Sequence, residues 1–176
     1  MARLKPLPQL WIVSDARNDA VLERALARAP RGSGLIFRHA HLPPGERRAR
    51  FAALARLARA RGHLAILAGS AAQARRWGAD GAYGPAPRLA RGPALFRLVT
   101  VHSLREIGRA GRTDAVLLSP VFPTRSHPGG AVLGPVRFRL LAARSPTPVV
   151  ALGGMDAARA RGADWPRWAA IDAFLR

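Results

Sequence analysis

Eight short runs of apolar, β-forming residues recur along this chain, and most are followed by an Ala/Leu/Arg-rich stretch with helical spacing. That alternation is the pattern of successive βα units wound around a parallel sheet. The runs read as strands are Leu10–Ser14, Gly34–Arg38, Leu64–Ala68, Ala82–Tyr83, Leu98–Val101, Ala115–Ser119, Val149–Leu152 and Ala169–Phe174. Helices are expected at Ala20–Ala29, Glu46–Arg61, Ala71–Trp77, Leu104–Gly111, Val136–Arg144 and Ala157–Arg161. In Glu46–Arg61 the residues Phe51, Leu54, Leu57 and Ala58 share one face. Eight βα units close a ring, whereas fewer leave an open doubly wound sheet, so the expected fold is an α/β TIM (β/α)8 barrel. At 176 residues the chain is shorter than the roughly 200 to 250 usual for that fold, and a small, trimmed barrel is expected. The Pro- and Gly-rich connection from Gly84 to Arg97 should hold no full helix, and the sequence stops at Arg176 directly after the eighth strand, without the final helix. No linker or low-complexity stretch divides residues 1–176, which are read as a single domain.

A composition of 49% apolar and 22% charged residues is that of a globular chain able to bury a core. No uninterrupted apolar run approaches the ~18 residues of a membrane span, and the opening MARLKPLPQLWIVSD lacks the pattern of a signal peptide. A soluble, cytoplasmic protein without a membrane partner is expected. Cysteine is absent, which removes disulfides, thiolate catalysis and Cys-ligated metal clusters. The formal net charge is +19, and of the 29 basic residues all but Lys5 are arginine. Nucleic-acid binding would concentrate them on a stripe or tail, with aromatics. Instead Arg24 and Arg28, Arg47 to Arg61, Arg75 and Arg76, and Arg159 and Arg161 are scattered, one cluster per expected helix. Arginine-filled solvated helix faces account for them, with anion attraction as the second reading. No nucleic-acid partner is expected.

Leu10–Asp15 (LWIVSD), Asp114–Thr124 (DAVLLSPVFPT) and Pro148–Met155 (PVVALGGM), taken in that order, resemble the thiamine phosphate synthase family and its relatives the thiazole tautomerases. The middle segment is the most specific. The family reads Asp, an apolar strand, Gly-Pro-Val-Phe-Pro-Thr and then Thr-Lys; this chain has Ser119-Pro120-Val121-Phe122-Pro123-Thr124-Arg125-Ser126-His127. Gly78-Ala79-Asp80-Gly81 and Val101-His102-Ser103 also stand where the family has similar strings. The resemblance implies a TIM barrel of thiamine biosynthesis that joins a pyrimidine diphosphate to a thiazole phosphate, releasing pyrophosphate with help from Mg²⁺. The partner it implies is a phosphorylated small-molecule substrate.

Several positions could carry phosphate on physical grounds. Ligands of such barrels sit at the carboxyl ends of the strands, with phosphate often held by loops seven and eight. Gly153 and Gly154 lie there, and without side chains they let backbone N–H groups approach an anion, while Asp156 could cap the next helix. A tight strand-to-helix turn would call for the same glycines. Thr124 and Ser126 on the neighbouring loop tip the reading toward phosphate. Arg38 ends the second strand, where the family's arginine engages a diphosphate through bidentate contacts, the alternative being an ordinary rim arginine. Thr100 replaces a family serine with another hydroxyl.

Other family positions are not matched. The lysine two residues beyond the arginine is Ala40, and the Asn-Asp pair ending strand three is Ala68-Gly69, which removes a carboxylate that holds Mg²⁺. The metal-linked aspartate after strand four is missing from Gly84-Pro85-Ala86-Pro87-Arg88. Hard oxygen ligands for Mg²⁺ are then reduced to Asp15, Asp19 and Asp156, a poor set, and Asp15 reads as structural. The tautomerase histidine before Val-Phe is Pro120, and the lysine after the threonine pair is His127, the candidate proton donor or phosphate partner. With Arg38 it makes up the expected catalytic pair. His39, His41 and His102 also fall near strand ends; His39-x-His41 has a chelating spacing, yet convergence on a metal is not expected.

Without a helix after strand eight, half of the usual phosphate cup is missing and Trp165, Trp168 or Phe174 would be uncovered, which suits a homodimer unless Met1–Gln9 covers them. Two functions remain in view. One is a thiamine phosphate synthase-like transferase handling a phosphorylated thiazole or pyrimidine. The other is a catalytically degenerate barrel that binds a phosphorylated metabolite or partner without turnover.

Overall fold

The apolar runs pair as expected. In the computed structural model, which describes residues 6–126 and 128–175, eight parallel strands close a barrel in sequence order. They are β1 (Leu10–Val13), β2 (Gly34–Phe37), β3 (Leu64–Ala68), β4 (Gly81–Pro85), β5 (Phe96–Val101), β6 (Ala115–Leu118), β7 (Val149–Ala151) and β8 (Trp168–Ala170). Closure is direct: Ile12 of β1 stands opposite Leu35 of β2 on one side and Ala170 of β8 on the other. Outside run α1 (Leu22–Arg28), α2 (Pro44–Ala60), α3 (Ala71–Arg76), α4 (Ala86–Leu89), α5 (Leu104–Gly108), α6 (Gly134–Ala142) and α7 (Ala157–Gly162). The Gly84–Arg97 connection holds only the single turn of α4. No helix of the described residues is long and apolar enough to cross a membrane.

Both faces of the strands are buried, which is why they read as near-continuous apolar runs. Trp11, Val13, Ile36, Ile66, Leu98 and Leu117 form one buried cluster, and their chain neighbours Ile12, Leu35, Phe37, Leu67, Val99 and Leu118 form another with the helices. Gly34 is dictated by this packing, because a Cβ there would strike the Trp11 ring.

The eighth strand is shorter than its apolar sequence suggests. It stops at Ala170, and a 3-10 turn, Asp172–Phe174, replaces the expected extension to Phe174. Here the barrel is stitched by a side chain. Asn18 is fully buried and its Nδ2 donates to the carbonyls of Val13 (2.9 Å) and Ile171 (3.0 Å), joining the ends of β1 and β8. Asn18 sits in a 3-10 turn, Ala16–Val21, capped by Asp15, which takes the first two residues of the helix expected at Ala20–Ala29, so that α1 begins only at Leu22. Trp165 is not left bare: its ring meets Phe138 edge-on at 4.9 Å and its Nε1 donates to the Val149 carbonyl. Trp168 and Phe174 stack parallel at 6.4 Å, both half-buried.

A candidate anion site at the barrel mouth

Glycine is required at both positions after β7. Gly153 has φ +97° and Gly154 φ +60°; a Cβ on the first would lie 2.7 Å from Pro120 Cα, and one on the second would meet the Pro123 carbonyl. The loops after β6 and β7 are in turn laced together, Val121 N–H donating to Leu152 O (2.9 Å) and Phe122 N–H to Gly153 O (3.0 Å). Arg159 braces them from α7, donating to the Gly154 carbonyl with its guanidinium 5.0 Å above the Phe122 ring. This packing alone accounts for the glycines. Their location adds something else.

Gly153 and Gly154 line one open cavity of about 1430 Å³ together with Thr124, Ser126, Thr100 and Arg38. Six of the expected site residues are therefore brought to one mouth, while His127 lies outside the described residues. Leu10, Trp168, Ala170 and Phe174 also line the cavity. Among the described lining residues are six arginines against Asp156 and Asp172, so the mouth favours anions. Asp156 caps α7 by accepting the Arg159 N–H at 2.8 Å.

Arg17 escaped the sequence reading. Its Nη2 donates to Ser126 Oγ at 2.8 Å, its Nε to Asp15 at 3.0 Å and its Nη1 to Asp172 at 3.4 Å, so one guanidinium ties the loops after β1, β6 and β8. Burial works to raise the Asp15 carboxyl, but hydrogen bonds from Arg17 and the charges of Arg17 and Arg38 hold it below its ordinary value. Thr124 Oγ1 accepts the Ser126 N–H at 3.3 Å.

The histidines divide. His39 is buried, with φ +41°, Nδ1 2.8 Å from Ser14 Oγ and Nε2 2.8 Å from Asp19 Oδ1. Ser14, His39 and Asp19 thus have the composition of a nucleophilic triad, but Ser14 is fully buried and its oxygen already accepts the Arg38 N–H at 2.8 Å. The network fixes the backbone of Arg38. With both ring nitrogens engaged, His39 cannot chelate with His41, whose exposed ring lies 5.0 Å away. Burial draws the His39 pKa below its usual value despite the neighbouring Asp19 carboxylate. His102 lines the cavity, and its Nδ1–H donates to the Ser119 carbonyl at 2.9 Å.

The donors expected for Mg²⁺ do not fit. At the ends of β3 and β4 Ala68, Gly69, Gly84 and Pro85 offer no side-chain oxygen, and the Ala68 carbonyl already accepts from Arg47 Nη2 at 2.7 Å. Among the described residues no group of three or more His, Asp or Glu stands close enough to share a metal.

The chain matches the family model described as thiamine monophosphate synthase over residues 10–163. Among solved structures it is similar to thiamine phosphate pyrophosphorylase from Pyrococcus furiosus, with 24% identity, a TM-score of 0.72 and coverage of 94% of this chain and 86% of that one. The corresponding enzyme from Bacteroides thetaiotaomicron is 13% identical with a TM-score of 0.64, covering 96% of this chain and 85% of that one. An HpcH/HpaI aldolase/citrate lyase family protein from Burkholderia cenocepacia reaches the same TM-score of 0.64 at 15% identity, covering 98% and 92%, so likeness at this level speaks for the barrel alone. No curated protein matches this chain. The 10–163 match takes in seven of the eight strands, with the Pro-Val-Phe-Pro-Thr and Gly-Gly loops packed side by side at the mouth, and the chain belongs to the thiamine monophosphate synthase family.

Proposed function

We propose that this chain takes a phosphorylated thiazole or pyrimidine of thiamine biosynthesis into the barrel mouth, as a thiamine phosphate synthase-like transferase. The observation that carries the reading is the shared cavity of Gly153, Gly154, Thr124 and Ser126. In it, backbone N–H groups and hydroxyls would receive a phosphate, and Arg38 would engage a diphosphate on the opposite rim. His127 would supply or share a proton with the phosphate. A second copy of the chain would cover Trp168 and Phe174 in a homodimer.

The experiment is to supply purified protein with pyrimidine diphosphate, thiazole phosphate and Mg²⁺ and to follow pyrophosphate. Steady release supports the transferase. The missing carboxylate at Ala68–Gly69 favours a second reading, a barrel that binds without turnover. No release, together with a higher melting temperature in thiazole phosphate alone, supports that reading. Neither release nor a thermal shift with either phosphate overturns both.

A further inference from the structure

The most firmly held cation at the mouth is one that the phosphate reading does not use. Arg47, near the start of α2, donates through Nε to the Arg38 carbonyl (2.8 Å) and through Nη2 to the Ala68 carbonyl (2.7 Å), spanning the ends of β2 and β3. Its guanidinium lies 5.2 Å from the Trp77 ring and 5.9 Å from the Phe37 ring. Two carbonyls and two aromatic faces thus fix its plane, so little side-chain entropy remains to be lost when a ligand arrives.

This cation lacks a counter-charge. No carboxylate of the described residues comes within ion-pair distance of it, and burial alone draws its pKa below the ordinary arginine value. Two of its five N–H donors are used, which leaves three, and the residue lines the cavity. Arg38 lines the cavity beside it, 41% exposed and only 4.0 Å from Asp15 at its nearest. Arg88 lies across the end of β4, where a Cβ on Gly84 would sit 3.5 Å from its Cδ. The side of the mouth formed by β2, β3 and β4 therefore carries three arginines and no carboxylate among its described lining residues.

We propose that in the diphosphate subsite at Arg38, Arg47 and Arg88 take the place of a divalent cation, so that a diphosphate-type group binds there without one. This rests on the reading that the mouth receives phosphorylated ligands. Guanidinium pairs with phosphate oxygens bidentately and carries its charge permanently. A divalent cation beside the Ala68 carbonyl would lose that oxygen to Arg47 and meet its positive charge at close range.

Calorimetric titration of the full chain with inorganic pyrophosphate in EDTA tests this. Saturable binding is expected, and adding Mg²⁺ should leave the affinity within about twofold or weaken it, because the magnesium complex is less negative. Arg47→Met should lower the affinity about tenfold or more, and Arg47→Lys, which keeps the charge but not the two-carbonyl clamp, should lower it as well. Circular dichroism checks that both variants fold; if they do not, Arg88→Met, on an exposed side chain, should still cost about threefold or more. Absence of binding in EDTA, at least about tenfold tightening by Mg²⁺, or unchanged affinity in the folded variants overturns the proposal. Thiazole phosphate titrated separately reports on the Gly153–Gly154 side. Pyrophosphate bound through Arg47 with thiazole phosphate inert would leave this subsite standing while the transferase reading falls, and the reverse result would do the opposite.

Discussion

Arg17 Nη2 donates to Ser126 Oγ at 2.8 Å, so a hydroxyl residue lining the mouth is held by a cation from a loop 109 residues away in sequence. The same guanidinium binds Asp15 and Asp172. It sits where it can orient Ser126 and add positive charge to an incoming phosphate.

Replacing Arg17 by Met should therefore act on binding more than on folding. Its ion pairs are partly exposed, with side-chain accessibility of 29% for Arg17 and 23% for Asp15, so the loss of stability in urea should stay within about 1 kcal/mol. Calorimetry with thiazole phosphate should show about fivefold to tenfold weaker binding. Equal affinities in the two proteins would remove Arg17 from the site.

Asn18→Ala should be far more costly to the fold. It withdraws donors from the buried carbonyls of Val13 and Ile171 at the seam where β8 returns to β1. Leaving buried acceptors unpaired predicts a loss of about 2–4 kcal/mol in urea unfolding. A loss within about 0.5 kcal/mol would mean that the strand ladder alone closes the barrel.

Acid should loosen the protein through His39. Burial lowers its folded pKa beneath the ordinary 6.5, so below that pH the unfolded chain binds a proton that the folded chain refuses. Stability is present in full above pH 6.5 and declines as the pH falls. Buried His63, shifted the same way, adds to the slope. Asp19 extends it at lower pH: burial tends to raise its pKa, but hydrogen bonds from His39 and Arg50 hold it beneath the usual 3.8. His39→Gln should make the decline shallower by up to about 1.4 kcal/mol per pH unit between neutral and pH 5. An identical slope in wild type and variant would contradict the assignment.

The stacked Trp168 and Phe174 beside β8 predict self-association. Multi-angle light scattering across a range of concentrations should give twice the chain mass of 18.9 kDa, and Trp168→Arg should shift the mass toward the monomer. A monomer mass at every concentration would contradict it.

The barrel was legible because strands buried on both faces leave continuous apolar runs, punctuated by glycines and prolines, and because eight of them leave no open edge. The end of the eighth was not legible. Ala169–Phe174 stays mostly apolar, yet pairing stops at Ala170, and Asp172 turns to Arg17. At the site, Gly153, Gly154, Thr124 and Ser126 were readable from short motifs, since each needs only its own loop to be recognised. Arg17 and Arg47 were not, because each is one of 29 basic residues and its role is defined by partners on other βα units. His39 misled for the same reason: its position at a strand end reads as rim, whereas Ser14 and Asp19 draw its ring into the wall.

The central claim is that a phosphate sits between the Gly153–Gly154 backbone and the Thr124–Ser126 loop. A crystal structure of the protein with thiazole phosphate tests it most directly. The account predicts phosphate oxygens about 2.7–3.2 Å from the backbone nitrogen of Gly153 or Gly154 and from the hydroxyl of Thr124 or Ser126. A phosphate bound elsewhere on the molecule, with this loop pair filled only by water at saturating ligand, would contradict it.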